Sequence, residues 1–329
     1  LKLKSETKLF IMAIILIAIF CFAITPVTMQ NDTYYTIKVG EHIKNYGVDM
    51  KEPFSWHENL IYTYPHWLYD LISYLIYSVF SWNGIYIATC ILSCVLGISL
   101  FLVTEKLTKS KLISFIITIG AMYVLSPYVA ARAQLVTFIL FVWTVFFIEK
   151  FLETRKMRYA VPLIIIPIAI ANLHSAVFPF YFVLFLPYIG EYIIANLIDF
   201  IIYSKAKVFY LKNKIAILEK MRIEGKNVSQ EKIEKLKKKL DEKIKQNSKI
   251  KIKRSTNEPY KIKIRNNKNV KLLIVIMIIC IFTGLLTPIG DTPYTYLYKT
   301  VMGNTTQSIN EHLPMTLTDN IEAMCFYQS

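Results

Sequence analysis

Apolar residues in this chain fall into long runs that contain no charged side chain. Seven such runs can be read along the sequence, covering residues 9–30, 84–104, 112–131, 133–148, 159–173, 176–190 and 272–290. Such lengths approach the ~20 apolar residues that a helix needs to cross the hydrocarbon core of a bilayer. The pattern predicts an all-α, polytopic membrane protein with about seven transmembrane helices. The hydrophobic fraction of 54% agrees with this class.

The runs divide the chain into four parts. Residues 1–204 hold six predicted spans and a large loop at 30–83, and residues 272–290 form the seventh span. Between them lies a polar insert at 205–271, and residues 291–329 begin a second large loop. The segment 66–82 is rich in Tyr and Trp, follows Pro65 and contains Asp70, so we expect it to lie along the membrane interface rather than to cross.

The formal net charge of +15 belongs to the polar insert. Residues 205–271 contain 23 of the 38 Lys and Arg but only 7 of the 23 Asp and Glu, so the insert carries +16 and the rest of the chain −1. This distribution argues against a general nucleic-acid-binding protein. Because basic loops favour the cytoplasm, it predicts a cytoplasmic N-terminus, a cytoplasmic insert and an outward-facing first loop in a multi-pass cell-membrane protein.

The insert is predicted to be partly helical. Ile233, Leu236, Leu240 and Ile244 recur at helical spacing, with Ser229 as an N-cap. Such a stripe fits either a solvated helix near anionic lipid headgroups or a short coiled-coil contact with a protein partner. Residues 247–270 are expected to be extended or disordered.

Chemistry must come from loop residues, because the sequence has no Gly-rich phosphate loop, no HExxH or GxSxG motif and no βαβ pattern. Asp32 follows the first span, where it is either a half-desolvated general base or a solvated helix-end residue. Arg132 is either a snorkelling anchor or a ligand for a lipid phosphate.

His174 is either a hydrogen-bonded interfacial residue or part of the same site as Asp32. His66 lies near His57 and Glu58 without a spacing diagnostic of a metal, and Glu311 is equally ambiguous.

Several short motifs together resemble the multi-spanning GT-C glycosyltransferases, which include protein mannosyltransferases and aminoarabinose transferases. The matching pieces are Asn31-Asp32, Pro65-His66-Trp67-Leu68, Arg132-Ala133-Gln134, Asn172-Leu173-His174, Thr287-Pro288-Ile289-Gly290 and Glu311-His312-Leu313-Pro314. The resemblance covers nearly the whole chain except the insert. Many members carry two adjacent acidic residues where this chain has Asn31 and a single Asp32. The resemblance also implies later spans, so we expect either a form truncated in the second outer loop or a minimal version.

The resemblance implies a function at the outer face of the cytoplasmic membrane. Such enzymes move a sugar from a polyprenyl-phosphate donor to an acceptor with inversion, and Asp32 matches the acid that activates the acceptor or binds a divalent metal. Arg132 and His174 would contact the donor phosphate, with His66 and Glu311 as further substrate-binding residues. The implied partners are the lipid-linked sugar donor and membrane lipids, with no nucleic acid, and 205–271 is available to a protein partner. The alternative is a non-catalytic scaffold, or a lipid-binding or flipping protein, of cell-envelope polysaccharide assembly.

Overall fold

The computed structural model describes residues 5–58, 60–202, 205–225, 229–255 and 267–302. Over these ranges every regular element is a helix, apart from one isolated antiparallel bridge between Lys51 and Ile61. The helices are α1 Ser5–Ile24, α2 Asn31–Tyr46, α3 Trp67–Thr108, α4 Lys111–Leu125, α5 Gln134–Thr154, α6 Met157–Leu173, α7 Phe178–Val183, α8 Leu186–Ile202, α9 Lys205–Ile223, α10 Gln230–Ser255, α11 Val270–Thr283 and α12 Thr292–Met302. The all-α prediction is confirmed for this part of the chain.

Five stretches of the described residues are long and apolar enough to cross a membrane. They are Thr7–Ile24, Trp67–Thr108, Lys111–Tyr128, Gln134–Thr154 and Ser175–Leu197. Two shorter apolar helices, Met157–Leu173 and Val270–Thr283, coincide with the remaining predicted runs. The protein therefore has the character of a multi-helix membrane protein. The count of seven spans, the type of membrane and the orientation of the chain in it stay predictions.

The segment 66–82 is joined to the following apolar run in one helical element, α3. Ser81 interrupts this element with φ 55° and ψ −155°, a backbone conformation rarely adopted by residues other than glycine. A straight helix of 42 residues would be roughly 63 Å long, about twice the hydrocarbon thickness of a bilayer. The kink at Ser81 separates the aromatic part predicted to lie at the interface from the apolar part predicted to cross.

The chain divides into two compact units, Leu1–Phe185 with Leu272–Ser329, and Leu186–Lys271. In the first unit, the apolar core between α1, α3, α4 and α5 includes Ile17, Cys21, Leu96, Met122 and Leu135. Helix α2 buries Val39 and Ile43 in one apolar cluster and Ile37 in a second one, and it is closely packed against α3. It ends at Gly47, whose positive φ of 80° suits a C-terminal cap.

Gly40 permits this close approach of α2 to α3. A Cβ atom at this position would overlap the carbonyl oxygen of Asp70 and lie 2.6 Å from Cβ of Tyr74. Both neighbours are the backbone or the first side-chain atom of a packed helix, so neither can move away at low cost. The contact fixes the first turns of α3 against α2.

In the second unit, α9 and α10 pack against each other. Helix α10 follows Ser229, as the sequence predicts. Ile233 of α10 is buried, as are Leu211 and Ile215 of α9. Part of the predicted apolar stripe is therefore covered within the chain. The prediction of extended or disordered structure was wrong for 247–255, which continue α10, and residues 256–266 lie outside the described residues.

Candidate functional site

Four of the five predicted site residues line one cavity in the first unit, although they are far apart in sequence. Asp32 lies in the first turn of α2, His66 directly before α3, Arg132 shortly before α5 and His174 directly after α6. The cavity has a volume of about 270 Å³, and its wall also includes Tyr35, Thr36, Pro65, Ala133, Gln134, Ala176 and Tyr296. The fifth predicted residue, Glu311, lies outside the described residues.

Asp32 and Arg132 form an ion pair across the cavity, between the Arg132 Nη2 and the Asp32 Oδ2 atoms. The Asp32 side chain is 61% exposed and that of Arg132 is 27% exposed. A partly exposed pair of this kind contributes only about 0–1 kcal/mol to stability. The buried Nε of Arg132 has no hydrogen-bond partner among the described residues.

Local structure brings these two residues together. Asp32 occupies the N-terminal turn of α2, where a negative charge is favoured by the helix dipole. The next residue, Thr33, places its hydroxyl 3.4 Å from the carbonyl oxygen of Ala131, which precedes Arg132. The Arg132 N–H in turn donates to the carbonyl of Ala130 at 2.7 Å, so the loop before α5 is tightly turned.

His66 is held by Asp70, one helical turn further along. The Nδ1 atom of His66 lies 2.6 Å from Oδ1 of Asp70, whose side chain is completely buried, while the His66 side chain is 26% exposed. Burial lowers the pKa of His66, but the adjacent Asp70 carboxylate, and more weakly Asp32, raise it, and the net pKa lies above its ordinary value. His66 therefore keeps its positive charge to a higher pH than a free histidine.

His174 has the opposite character. Burial, with a smaller contribution from nearby His66, lowers the pKa of His174 to about 3, so the ring is neutral at physiological pH. Its Nδ1 lies 2.8 Å from the Thr137 hydroxyl, which also approaches the Ala133 carbonyl at 3.2 Å. If the hydroxyl donates its hydrogen to that carbonyl, it accepts one from Nδ1 of His174. The rings of His66 and His174 are 6.4 Å apart.

Hydrogen bonds connect the short motifs from which the cavity is built. The Ser175 N–H and hydroxyl both donate to the Pro65 carbonyl, at 2.7 and 2.8 Å. The Trp67 indole N–H donates to the side-chain oxygen of Asn172 at 3.2 Å, and the Asn172 amide N–H donates to the Leu286 carbonyl at 3.0 Å. The Pro-His-Trp turn, the Asn-Leu-His turn and the end of α11 are thereby held as one framework.

A second, largely apolar cavity of about 380 Å³ is built from the same segments. Thr33, Ala131 and Leu173 line it, and each is the direct sequence neighbour of a residue of the polar cavity. The rest of its wall comes mainly from α3, including Tyr69, Ile72, Ile76, Ile85 and Leu92. At three separate points of the chain, one residue therefore lines the apolar cavity and its direct sequence neighbour lines the polar cavity.

Sequence reasoning missed several residues of the site. Asp70 and Thr137 position the two histidines, and Tyr35 and Tyr296 line the cavity. The sequence does contain a signal for Asp70, which lies four residues after His66 at the start of a helix. His57 instead accepts a hydrogen bond from the exposed Trp56, outside the cavity. No group of three or more His, Cys, Asp or Glu that could hold a metal occurs among the described residues, and metal dependence stays a prediction.

Comparisons with protein-family models, with curated proteins and with solved structures find no match to this chain. The resemblance to GT-C glycosyltransferases therefore rests on the short sequence motifs.

Proposed function

We propose that this protein transfers a sugar from a polyprenyl-phosphate donor to a hydroxyl acceptor, with inversion, at the outer face of a cell membrane. The observation that carries the proposal is the convergence of Asp32, His66, Arg132 and His174 on one cavity. These residues come from four separate segments, and the sequence patterns select the same four.

The two neighbouring cavities support a donor that is polar at one end and apolar at the other. The Arg132 guanidinium in the cavity wall suits the leaving phosphate, because Arg forms strong charge-assisted hydrogen bonds to phosphate oxygens. The apolar cavity built from the same segments suits the first units of a prenyl chain. Inverting transfer also needs a proton acceptor for the attacking hydroxyl, and the polar cavity offers the Asp32 carboxylate and the His66 imidazole.

The test is transfer from a radiolabelled polyprenyl-phosphate sugar pool in membranes containing the wild type, Asp32→Asn or Arg132→Gln. Asp32→Asn keeps the shape of the side chain, Arg132→Gln leaves a shorter polar side chain, and each variant removes one charge. We expect each to lower transfer at least about 100-fold at equal protein level, since both remove a charged group from the reacting centre.

Glu41→Gln is the matched control for this experiment. Glu41 is a carboxylate of the same helix as Asp32 and is also paired with a cation, Lys38 at 2.8 Å, but it does not line the cavity. Its transfer rate should equal that of the wild type. Equal rates for wild type, Asp32→Asn and Arg132→Gln would contradict the proposed site.

A non-catalytic lipid-binding or scaffold protein is the second candidate, and one observation favours it. The carboxylate of Asp32 and the guanidinium of Arg132 already neutralise each other in the ion pair, as in a site that only holds a lipid headgroup. In this case the wild type binds polyprenyl phosphate, Arg132→Gln weakens that binding, and no membrane preparation transfers sugar.

A further inference from the structure

We propose that His66 and Asp70 act together as the proton acceptor of this cavity, with His66 as the base and Asp70 as its positioning residue. This inference rests on the proposed function and gives the Asp32 carboxylate a different task, which is to hold Arg132 in place for the phosphate.

The environment of Asp70 is difficult to explain as a packing requirement alone. Its side chain is 0% exposed, and its Oδ2 atom has no hydrogen bond of normal geometry within the described ranges, although the Thr36 hydroxyl of α2 favours the charged form. Burying a carboxylate is costly unless it is well paired. Helix α2 nevertheless packs directly on this residue through Gly40. The fold thus buries a carboxylate one helical turn from His66.

The geometry of the pair selects one tautomer of His66. A carboxylate can only accept a hydrogen bond, so the neutral His66 ring carries its hydrogen on Nδ1 and donates it to Oδ1 of Asp70. Nε2 is then the nitrogen with a free lone pair, in a ring that lines the cavity. When Nε2 takes up a proton, the Asp70 carboxylate stabilises the resulting imidazolium.

The other candidate bases of the cavity are less suited to this task. Oδ2 of Asp32 is occupied by the ion pair with Arg132. Burial and the neighbouring His66 lower the pKa of His174 to about 3, which makes it a poor proton acceptor. Tyr35 and Tyr296 have pKa values raised by burial, so they remain protonated. Only His66 combines a free lone pair with a neighbouring negative charge.

The proposed step balances without any further reactant. The acceptor hydroxyl oxygen forms a bond to the anomeric carbon of the sugar, and the bond from that carbon to the phosphate oxygen breaks. The electron pair of the broken bond leaves with the polyprenyl phosphate, and the Arg132 guanidinium pairs with the negative charge of that phosphate. The hydroxyl proton passes to Nε2 of His66 and from there to solvent.

The first experiment needs no transfer activity. Histidine signals of the isotope-labelled full chain in detergent micelles are followed by NMR through a pH titration, and the His66 signal is identified by its loss in His66→Gln. Besides Asp70 from α3, the charged and titratable groups that line the cavity with this ring are Asp32, Arg132, His174, Tyr35 and Tyr296. We expect the His66 pKa to lie above 6.5 in the wild type and to fall by about 1–3 units in Asp70→Asn, because the carboxylate that favours the charged ring is gone.

The second experiment measures transfer against pH. If His66 is the base, kcat rises as pH passes through its pKa, because only the neutral ring can accept a proton. His66→Gln should lower kcat about 100-fold or more and abolish that rise. Asp70→Asn should lower kcat about 10- to 100-fold, move the rise to lower pH and leave KM unchanged, which a purely structural role would not do.

Asp49→Asn is the matched control, because Asp49 also lies beside a histidine, His42 at 3.3 Å, but outside the cavity. It should leave the His66 titration and the transfer profile unchanged. An unchanged His66 pKa in Asp70→Asn, or full transfer by His66→Gln, would overturn the inference. Should Asp70→Asn fail to fold, the wild-type titration and His66→Gln decide it. Absence of transfer by the wild type would refute the proposed function, while the titration would still report on the pair.

Discussion

The polar cavity and the pair of helices α9 and α10 use charge in opposite ways. The helix pair belongs to the basic insert, which carries +16, and its described ion pairs are exposed, such as Lys235 with Glu231 and Lys237 with Glu219. The cavity holds one arginine and a few titratable groups, yet Arg132, His66 and His174 are partly buried and both histidines have shifted pKa values. Environment, rather than the number of charges, marks a candidate site, because water screens the exposed groups and leaves buried ones strongly coupled.

The largest expected difference between the cavity region and the basic insert is the side of the membrane on which each lies, and cysteine labelling tests it. Lys44→Cys, in α2, should be labelled by a membrane-impermeant thiol reagent in intact cells. Lys238→Cys, in α10, should be labelled only after the cells are permeabilised. The physical reason is the preference of basic segments for the cytoplasm. The unsubstituted protein is the blank for its native cysteines, and the reversed labelling pattern would place the cavity and the insert on the sides opposite to those proposed.

A smaller effect is expected from the packing beneath the cavity. Gly40→Ala should lower the free energy of unfolding by about 1–3 kcal/mol, because the added methyl group overlaps the backbone of α3 at Asp70. Gly120→Ala, in α4, is the matched control, since no atom lies within 4 Å of its added methyl group. It should be neutral or stabilise by up to ~1 kcal/mol through helix propensity. Denaturation in detergent compares the two, and equal stabilities would show that α2 does not pack this closely.

The smallest effect is expected in the basic helix pair. Glu219→Gln removes the ion pair to Lys237, whose side chains are 44% and 54% exposed. The free energy of unfolding should change by no more than about 1 kcal/mol, and less at high salt, because solvent screens both charges. Thermal denaturation at low and high ionic strength measures this. A loss above ~2 kcal/mol would mean that this pair behaves like a buried one.

Periodicity and charge predicted much of the fold but little of the geometry of the site. Apolar runs correctly predicted helices, because helices follow from local spacing. The same local reasoning failed at 247–255, where a polar, Lys-rich stretch stays helical as part of α10.

The pairing of site residues depends on tertiary contacts that no local pattern encodes. Asp32 and Arg132 could each be selected as isolated charges beside apolar runs, but nothing in the sequence links positions 100 residues apart. In the sequence, Asp70 is only a charge within an aromatic segment. Its contact with His66 depends on the first turn of α3, and its burial depends on the packing of α2 against this turn.

The hydrogen bond from Asn172 to the Leu286 carbonyl, together with Tyr296 in the cavity wall, has a consequence for the order of events during synthesis. His174 leaves the ribosome well before these last contributors, which follow roughly 120 residues later, or about 6–24 s at 5–20 residues per second. During this interval the nascent chain contains every charged group of the cavity but not the segments that close it. We therefore expect the cavity to be completed only after the segment that contains Leu286 and Tyr296 has been synthesised.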